Sequence, residues 1–427
     1  MRMPTKSMLF QTALVVALAA LGLAACGDDD DDSGTATTTT TAAAETTTEG
    51  ATGTTTATSG DVQEVVNHVL LTDEIPASDL EPKIVEALEL ASAELSPEQT
   101  ALALKCWQEE TCETGQGELV VGIADGFGDN TWREFTKMEI ILQAIANPDV
   151  AKIIYTNAHA DLAQAQSNFR SLVSQQADVI VGYFDHGDSM LPVMRQAMDG
   201  GIPVVPFVGN VPGAVAGETV LTQVVPDFCA NGREMATTTM EALPDGANVV
   251  YLTGTPGNPQ GQGWQKCADE EFAKGAGFEV VAKADTQWTQ EGALQAMSGI
   301  IGQGTQVDAI LYDYANATRG IVRAYEQAGA QLPLIVTWTE DNELFGQWET
   351  LKDSNPNFKI YYTNGLNWPG RVALTAAVDS LKGEEIPGAL VYPQPFILLE
   401  EGVYDPDKPG EFGASTLVPD DLIAQMF

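Results

Sequence analysis

The chain has 427 residues and a formal net charge of −40, with 60 acidic residues against 20 basic ones. This length exceeds that of one ordinary domain and is sufficient for two lobes with separate cores. The negative charge argues against nucleic acid and anionic lipid headgroups as partners, and it leaves the chemistry of a small ligand open.

The amino terminus has the pattern of an export signal. Residues 1–25 begin with the basic residues Arg2 and Lys6, continue through an apolar stretch and end in small residues. The apolar stretch is too short to predict a membrane span. The run Leu-Ala-Ala-Cys that ends at Cys26 resembles the bacterial lipobox, so we expect Cys26 to carry a lipid that holds the protein at the outer face of the cell membrane. The alternative is an ordinary signal peptide followed by an incidental cysteine.

Residues 26–60 are predicted to be a disordered tether, because a run of Asp followed by Thr, Ala, Gly and Ser cannot bury enough apolar surface to offset the entropy of ordering. Residues 61–116 are predicted to be a helical extension that packs on the first lobe. One helix start is marked by Ser96-Pro97-Glu98-Gln99, which combines an N-cap Ser, a Pro in the first turn and a Gln at the capping-box position.

Four cysteines follow Cys26, and an exported protein is expected to oxidise them. Four cysteines allow three pairings. Proximity favours Cys106 with Cys112, which leaves Cys229 with Cys267. Neither a CxxC pair nor a cluster of histidines accompanies them, so no metal site or cofactor is predicted.

The stretch Glu118–Phe135 predicts a buried strand, a Gly-rich turn and a helix that starts near Trp132. From Leu119 onward, short apolar runs alternate with helical periods, which predicts parallel sheets with right-handed crossovers. Two such series in succession, with the order broken near the carboxyl terminus, predict two similar lobes and a chain that crosses between them more than once.

From about Gly117 to Glu401 the chain resembles the sugar-binding periplasmic binding proteins of ABC importers, of the ribose/galactose type. The matching segments are DNTWREF, the run from DVIVGYFDHGD to GGIPVV, QWTQEGAL, DAILYDYANATRG and NGLNWPGRVAL. The resemblance implies an α/β protein with two Rossmann-like lobes joined by a three-strand hinge. It places lobe 1 at 117–225 plus 365–391 and lobe 2 at 226–364 plus 392–427, with crossings near 225–226, 364–365 and 392–393.

The resemblance also implies a ligand held in the cleft by rings that cover sugar faces and by polar groups that bind hydroxyls. The candidate ligand-binding residues are Asn130, Trp132, Asp185, Gln262, Trp264, Trp288, Tyr314 and Asn364. Trp132 could instead be a buried helix-start residue, and Asp185 could cap the helix that follows it. Five of the seven tryptophans, including Trp338 and Trp368, are predicted near the carboxyl ends of strands.

This chain departs from the family pattern after IPVV, where many sugar binders carry Asp-Arg and this chain has Phe207-Val208-Gly209. The predicted function is a monomeric solute receptor that works with the membrane subunits of an ABC importer. The alternatives are a ligand-sensing lipoprotein for a membrane signalling partner and a binder of a non-sugar molecule. An enzyme is not predicted, because no nucleophile–base pair or catalytic carboxylate pair is evident.

Overall fold

The computed structural model of the protein describes residues 59–128 and 130–427. The predicted signal segment, Cys26 and the predicted tether up to residue 58 lie outside these residues, as does Asp129 in the Gly-rich turn. Within the described part of the chain, no helix is long and apolar enough to cross a bilayer.

Three helices precede the first lobe: α1 (Ser59–Leu70), α2 (Pro82–Ala91) and α3 (Pro97–Gln108). The predicted capping box begins α3, because the Ser96 side chain accepts from the Gln99 amide and the Gln99 side chain accepts from the Ser96 amide. The predicted helical extension also contains a strand, β1 (Thr111–Glu113), which pairs antiparallel with a strand of the first sheet. The extension is therefore partly built into the lobe.

The first sheet has the order β1-β3-β2-β4-β5 and is parallel except at β1. Its remaining elements, in chain order, are β2 (Leu119–Asp125), α4 (Thr131–Ala146), β3 (Val150–Asn157), α5 (Leu162–Ser174), β4 (Val179–Tyr183), α6 (Leu191–Asp199) and β5 (Val204–Pro206). Strand β4 is buried at every position, as expected for a central strand covered on both faces.

The chain then crosses to the second lobe through β6 (Val224–Pro226). The second sheet has the order β13-β11-β10-β9-β7-β8 and is parallel except at β13. Its helices and first strands are α7 (Phe228–Ala242), β7 (Ala247–Thr253), α8 (Pro259–Phe272), β8 (Phe278–Asp285), α9 (Gln290–Gly302), β9 (Ala309–Tyr312), α10 (Thr318–Ala328), β10 (Leu334–Thr337), α11 (Asn342–Leu351) and β11 (Ile360–Tyr362).

Three further crossings connect the lobes, the last of them made by the carboxyl-terminal segment. After β11 the chain returns to the first lobe, where α12 (Pro369–Leu381) packs on α2, α4, β4 and β5. It then runs through β12 (Leu390–Tyr392), which pairs parallel with β6, and reaches β13 (Ile397–Leu398) in the second sheet. The two strands β12 and β13 are separate, and the middle crossing, residues 363–368, has no regular secondary structure.

The carboxyl-terminal segment does not stay with lobe 2 as the sequence predicts. Helix α13 (Asp420–Met426) packs on α3, and the Phe427 ring lies 5.3 Å from the Phe135 ring of α4. The segment is apolar at Leu422, Ile423 and Met426, and it buries those side chains against the first lobe rather than the second.

Both disulfides that the sequence predicts are present in the structure. Cys106–Cys112 joins α3 to β1, and Cys229–Cys267 joins α7 to α8. Four short 3-10 helices complete the described elements: Ala77–Asp79, Gly187–Met190, Ala315–Ala317 and Lys352–Ser354.

Candidate ligand-binding site

A cavity lies between the carboxyl ends of the two sheets, the position where open α/β folds bind ligands. The space in it that a water molecule can occupy is about 30 Å³, within about 350 Å³ of non-atom space that includes its mouth. Its lining comes from both lobes and from the middle crossing: Asn130, Trp132, Arg133, Tyr183, Val208, Gln260, Trp288, Asp313, Tyr314, Thr339 and Leu366.

The turn between β2 and α4 presents the first group of side chains. Asn130 is the N-cap of α4 and accepts from the Arg133 amide at 3.0 Å, which fixes the start of the helix. Trp132 follows in the first turn, and its indole Nε1 donates to the carbonyl of Gly365 in the middle crossing at 2.7 Å. The Trp132 ring is thus held at the cavity by a residue of the hinge.

Arg133 is the buried cation of this wall. Its Nη1 donates to Asp125 Oδ1 at 3.0 Å and its Nη2 to Asp185 Oδ1 at 2.8 Å. Its guanidinium carbon lies 3.9 Å from the centroid of the Tyr183 ring. Burial by itself lowers the pKa of Arg133, but Asp185 and Asp125 together raise it above its ordinary value. Burial raises the pKa of Asp185 to about 6, against the lowering effect of Arg133.

Asp313 is the buried anion of the opposite wall, directly after β9. Its Oδ1 accepts from Trp288 Nε1 at 2.9 Å, and its Oδ2 accepts from Trp264 Nε1 at 3.0 Å and from the Thr253 hydroxyl. Burial raises the pKa of Asp313 to about 6, and these hydrogen bonds oppose that rise. Oδ1 accepts one of these bonds and keeps a lone pair that a ligand hydroxyl can use.

A hydrogen bond joins the two walls beside the cavity. The hydroxyl of Tyr183, at the end of β4, donates to Oε1 of Gln260 in the first turn of α8 at 2.8 Å. The Tyr183 ring also contacts Trp132 edge to face, with 5.6 Å between centroids. The lobes therefore meet in this structure at the cavity itself.

Several cavity residues have strained backbones. Val208, Trp288, Thr339 and Leu366 adopt φ values of 57°, 49°, 62° and 59°, in the left-handed region that side chains other than Gly rarely enter. Such strain persists only where surrounding structure enforces it, and it concentrates at functional sites. Its clustering around one cavity supports a ligand-binding role for that cavity.

Four of the eight sequence-predicted ligand residues line the cavity: Asn130, Trp132, Trp288 and Tyr314. The other four do not. Asp185 lies behind Arg133, and Trp264 is fully buried behind Asp313. Trp338 and Trp368 are also fully buried, so those two tryptophans are core residues.

The structure does not place Gln262 and Asn364 at the cavity, and the physical reason is different for each. Two residues along a helix rotate the side chain by about 200°, so Gln260 faces the cavity whereas Gln262 is exposed and lines, with Asp185, a neighbouring groove between the two lobes. Asn364 is fully buried in the middle crossing, where its Oδ1 accepts from the Leu366 amide at 3.3 Å. It shapes the hinge rather than the cavity.

The sequence prediction missed Arg133, Tyr183, Val208, Gln260, Asp313, Thr339 and Leu366 as lining residues. Two signals in the sequence could have identified the two charged residues, Arg133 and Asp313. Asp125 is the last residue of β2 and Asp185 follows the adjacent strand β4, and two neighbouring carboxylates at one sheet edge require a cation. Asp313 directly follows β9, which is the neighbour of β7 in the second sheet.

The described residues contain one group of carboxylates close enough to suggest a metal site, formed by Glu86, Asp379 and Glu384. The Nζ of Lys83 contacts all three, at 2.9 Å from Asp379 and 2.6 Å from Glu384. A lysine ammonium therefore already neutralises this group, which ties α2 to the end of α12.

Comparison of the sequence with those of known proteins identifies its family. The sequence profile of the periplasmic binding protein domain matches residues 121–385. A xylitol-binding protein of Mycolicibacterium smegmatis is 24% identical over 261 residues, which cover 60% of this chain and 71% of that protein.

Solved structures share the fold. The arabinose-transporter binding protein of Shewanella sp. ANA-3, bound to L-arabinofuranose, aligns with a TM-score of 0.59 at 19% identity, covering 66% of this chain and 92% of that one. The fructose-binding periplasmic domain of a hybrid two-component system aligns with a TM-score of 0.58 at 18% identity, covering 66% and 90%. These relatives are binding proteins and not enzymes, in agreement with the sequence prediction. The chain belongs to the periplasmic binding protein family and has its type I fold of two α/β lobes.

Proposed function

We propose that the chain is an extracytoplasmic, lipid-anchored solute receptor of an ABC importer that binds a small uncharged carbohydrate or polyol between its lobes. The observation that carries the proposal is the composition of the cavity. Rings of Trp132, Trp288 and Tyr314 line it together with the hydrogen-bonding groups of Arg133 and Asp313. Ring faces cover the CH surface of a sugar, and fixed donors and acceptors satisfy its hydroxyls.

The charges of the site favour an uncharged ligand. Among the described residues that line the cavity, Arg133 is the one cation, and its charge is compensated by Asp125 and Asp185. Asp313 adds a negative charge that only neutral donors contact. A sugar acid or sugar phosphate would enter a site with three carboxylates and one guanidinium, and like charges at short range raise the free energy of binding.

The relatives support the ligand class. Their descriptions name xylitol, L-arabinofuranose and fructose, which are all uncharged polyhydroxy compounds. Lipid attachment at Cys26 is proposed from the lipobox-like sequence, and closure around the ligand is proposed from the two-lobe architecture. In an importer, the membrane subunits would recognise the closed receptor.

A sensory role is the second candidate. It is favoured by the fold shared with a binding domain of a two-component system. A strain that lacks the gene separates the two roles: loss of uptake of the bound sugar supports transport, whereas normal uptake with loss of a transcriptional response supports sensing. A non-sugar ligand remains the third candidate, and the ligand screen decides it.

The test is a thermal-shift screen of the purified protein, followed by calorimetry, against neutral pentoses, hexoses and pentitols, with nucleosides and amino-acid derivatives as alternatives. A ligand at 100 times its Kd stabilises the folded state by about 2.7 kcal/mol, which is easily measured. Stabilisation by a neutral carbohydrate or polyol supports the proposal. Stabilisation only by compounds of another class, or by none, overturns it.

A further inference from the structure

The carboxyl-terminal strap, residues 405–418, crosses from one lobe to the other outside the segment that matches the family profile. On the second lobe, the Asn342 side chain donates to the Asp405 carbonyl at 2.7 Å and accepts from the Asp405 amide at 3.0 Å. On the first lobe, the Thr416 hydroxyl and the Leu417 amide both donate to Glu139 at 2.7 Å. The strap therefore spans the lobes beside the hinge.

Between these attachments the strap contacts the middle crossing through Ser415. The Ser415 hydroxyl accepts from the Gly365 amide at 2.6 Å and donates to Glu340 Oε1 at 2.8 Å. Glu340 also accepts from the amides of Ala414 and Ser415, at 2.7 and 3.1 Å. Ser415 is 1% exposed and Glu340 3% exposed, so water has little access to replace any of these bonds.

Gly365 is the residue through which the strap reaches the ligand site. Its carbonyl accepts the indole N–H of Trp132, and the following residue, Leu366, lines the cavity with a strained φ of 59°. A glycine is the residue whose own backbone resists rotation least, so its orientation must be set by its neighbours. A Cβ at this position would lie 2.8 Å from Asn367 Oδ1, 3.0 Å from Ser415 Oγ and 3.2 Å from Glu340 Oε1, so Gly365 is closely packed by the strap, by Glu340 and by its own crossing.

We infer that Ser415 is a positioning residue of the ligand site: by fixing Gly365 between its hydroxyl and Trp132, it sets the orientation of the Trp132 ring and of Leu366. The inference rests on the proposed function for its effect on ligand affinity, but its effect on Trp132 is measurable without a ligand. A segment beyond the family match thus becomes part of the binding machinery.

The test compares Ser415→Ala with Thr416→Val, a matched control in the same strap whose hydroxyl donates to Glu139 and accepts from the Val418 amide, and makes no bond to Gly365. Ser415→Thr serves as the rescue variant, because it restores a hydroxyl. The chain has 7 tryptophans, and the Trp132 indole N–H resonance is assigned by its loss in Trp132→Phe. Two quantities are measured: hydrogen exchange of that indole N–H, and affinity for L-arabinose or xylitol.

In Ser415→Ala we expect faster exchange of the Trp132 indole and an affinity weaker by about 5- to 20-fold, the effect of losing a buried hydrogen bond. Thr416→Val is expected to lower thermal stability without either change, and Ser415→Thr to restore both. Unchanged exchange in Ser415→Ala, or an equal change in Thr416→Val, would overturn the inference. If the wild-type protein binds no carbohydrate, the proposed function fails, and the indole measurement still decides the inference by itself.

Discussion

Each wall of the cleft contains a buried charge, and the two walls stabilise that charge in different ways. On the first lobe, the guanidinium of Arg133 is held between the carboxylates of Asp125 and Asp185. On the second lobe, the carboxylate of Asp313 is held by the indole N–H groups of Trp264 and Trp288 and the hydroxyl of Thr253. The first wall is a compensated ion cluster, and the second is a single charge stabilised by neutral dipoles.

This difference has consequences for stability and binding. Removing the guanidinium of Arg133 from the first wall leaves the buried carboxylates of Asp125 and Asp185 unpaired. The second wall contains no opposite charge that would be left unpaired if Asp313 were removed. Removing Asp313 instead leaves neutral donors without an acceptor, which costs less. The first wall should therefore dominate the stability of the site. Burial raises the pKa of both Asp185 and Asp313 to about 6, but of these two carboxylates it is Asp313 that lines the cavity, so protonation of Asp313 should have the more direct effect on ligand binding.

The largest expected effect is on stability. Arg133→Met should lower the free energy of unfolding by about 3–5 kcal/mol, because it strands Asp125 and Asp185 in the interior. The triple variant Asp125→Asn, Arg133→Met, Asp185→Asn should recover much of that loss, since it removes the unpaired charges. Denaturant unfolding measures both. Equal destabilisation in the single and triple variants would show that the ion cluster does not determine the stability of this wall.

The next effect is on ligand affinity. Replacing both Trp132 and Trp288 by Ala should weaken binding by at least about 100-fold, because both ring faces are removed from the cavity. Trp132→Phe with Trp288→Phe keeps ring faces but loses both indole N–H groups, and should retain part of the affinity. Trp348→Phe on α11 is the control, since Trp348 donates to the Phe358 carbonyl away from the cavity. Isothermal titration checks all three, and unchanged affinity in the double Ala variant would refute the site assignment.

A gain of binding tests the charge of the first wall. Asp125→Asn with Asp185→Asn leaves Arg133 uncompensated, so the affinity for a sugar acid such as arabinonate should rise by about tenfold, or about 1.4 kcal/mol. Affinity for the neutral sugar should change less. Competition calorimetry compares the two ligands, and a wild-type protein that already prefers the acid would contradict the charge argument.

The smallest expected effect is the pH dependence of binding. The pKa of Asp313 is raised to about 6 by burial, so the carboxylate takes up a proton as the pH falls below that value. The protonated group loses its negative charge and part of its acceptor capacity, so affinity for a neutral polyol should decrease as pH falls from 7 to 5, by at most about tenfold per pH unit. Asp313→Asn should bind weakly at both values. An affinity that rises towards pH 5 would contradict the role of ionised Asp313.

The sequence predicted the α/β fold and part of the site, for reasons that particular residues explain. The alternation of strands and helices and the strand–turn–helix at Asn130 and Trp132 are encoded by neighbouring residues in the sequence. Tertiary contacts did not override these local patterns, so they could be predicted. Arg133 was missed because an arginine in a helix is ordinarily solvent-exposed, and only the tertiary approach of Asp185 buries it. The family resemblance points to Gln262, but α8 begins at Pro259, and in that helix Gln260 rather than Gln262 faces the cavity.

The course of the carboxyl terminus was also missed. The run from Gly402 to Pro419 contains Gly and Pro but no regular strand or helix signal, so the sequence offers no local evidence of its path. Its course is set by side chains far away in sequence, namely Asn342, Glu340 and Glu139. Contacts of this kind become visible only in three dimensions.

The central claim is that the lobes close on a neutral polyhydroxy ligand between the Arg133 wall and the Asp313 wall. Its most direct test is the distance between spin labels on Cys variants of Arg195 in α6 and Glu270 in α8, both exposed and on opposite lobes. We predict that a neutral pentose or pentitol shortens the mean distance and narrows its distribution, that arabinonate does not, and that the Trp132→Ala, Trp288→Ala variant does not respond. A distance that is insensitive to every neutral sugar, or that shortens equally in the double variant, would contradict the account.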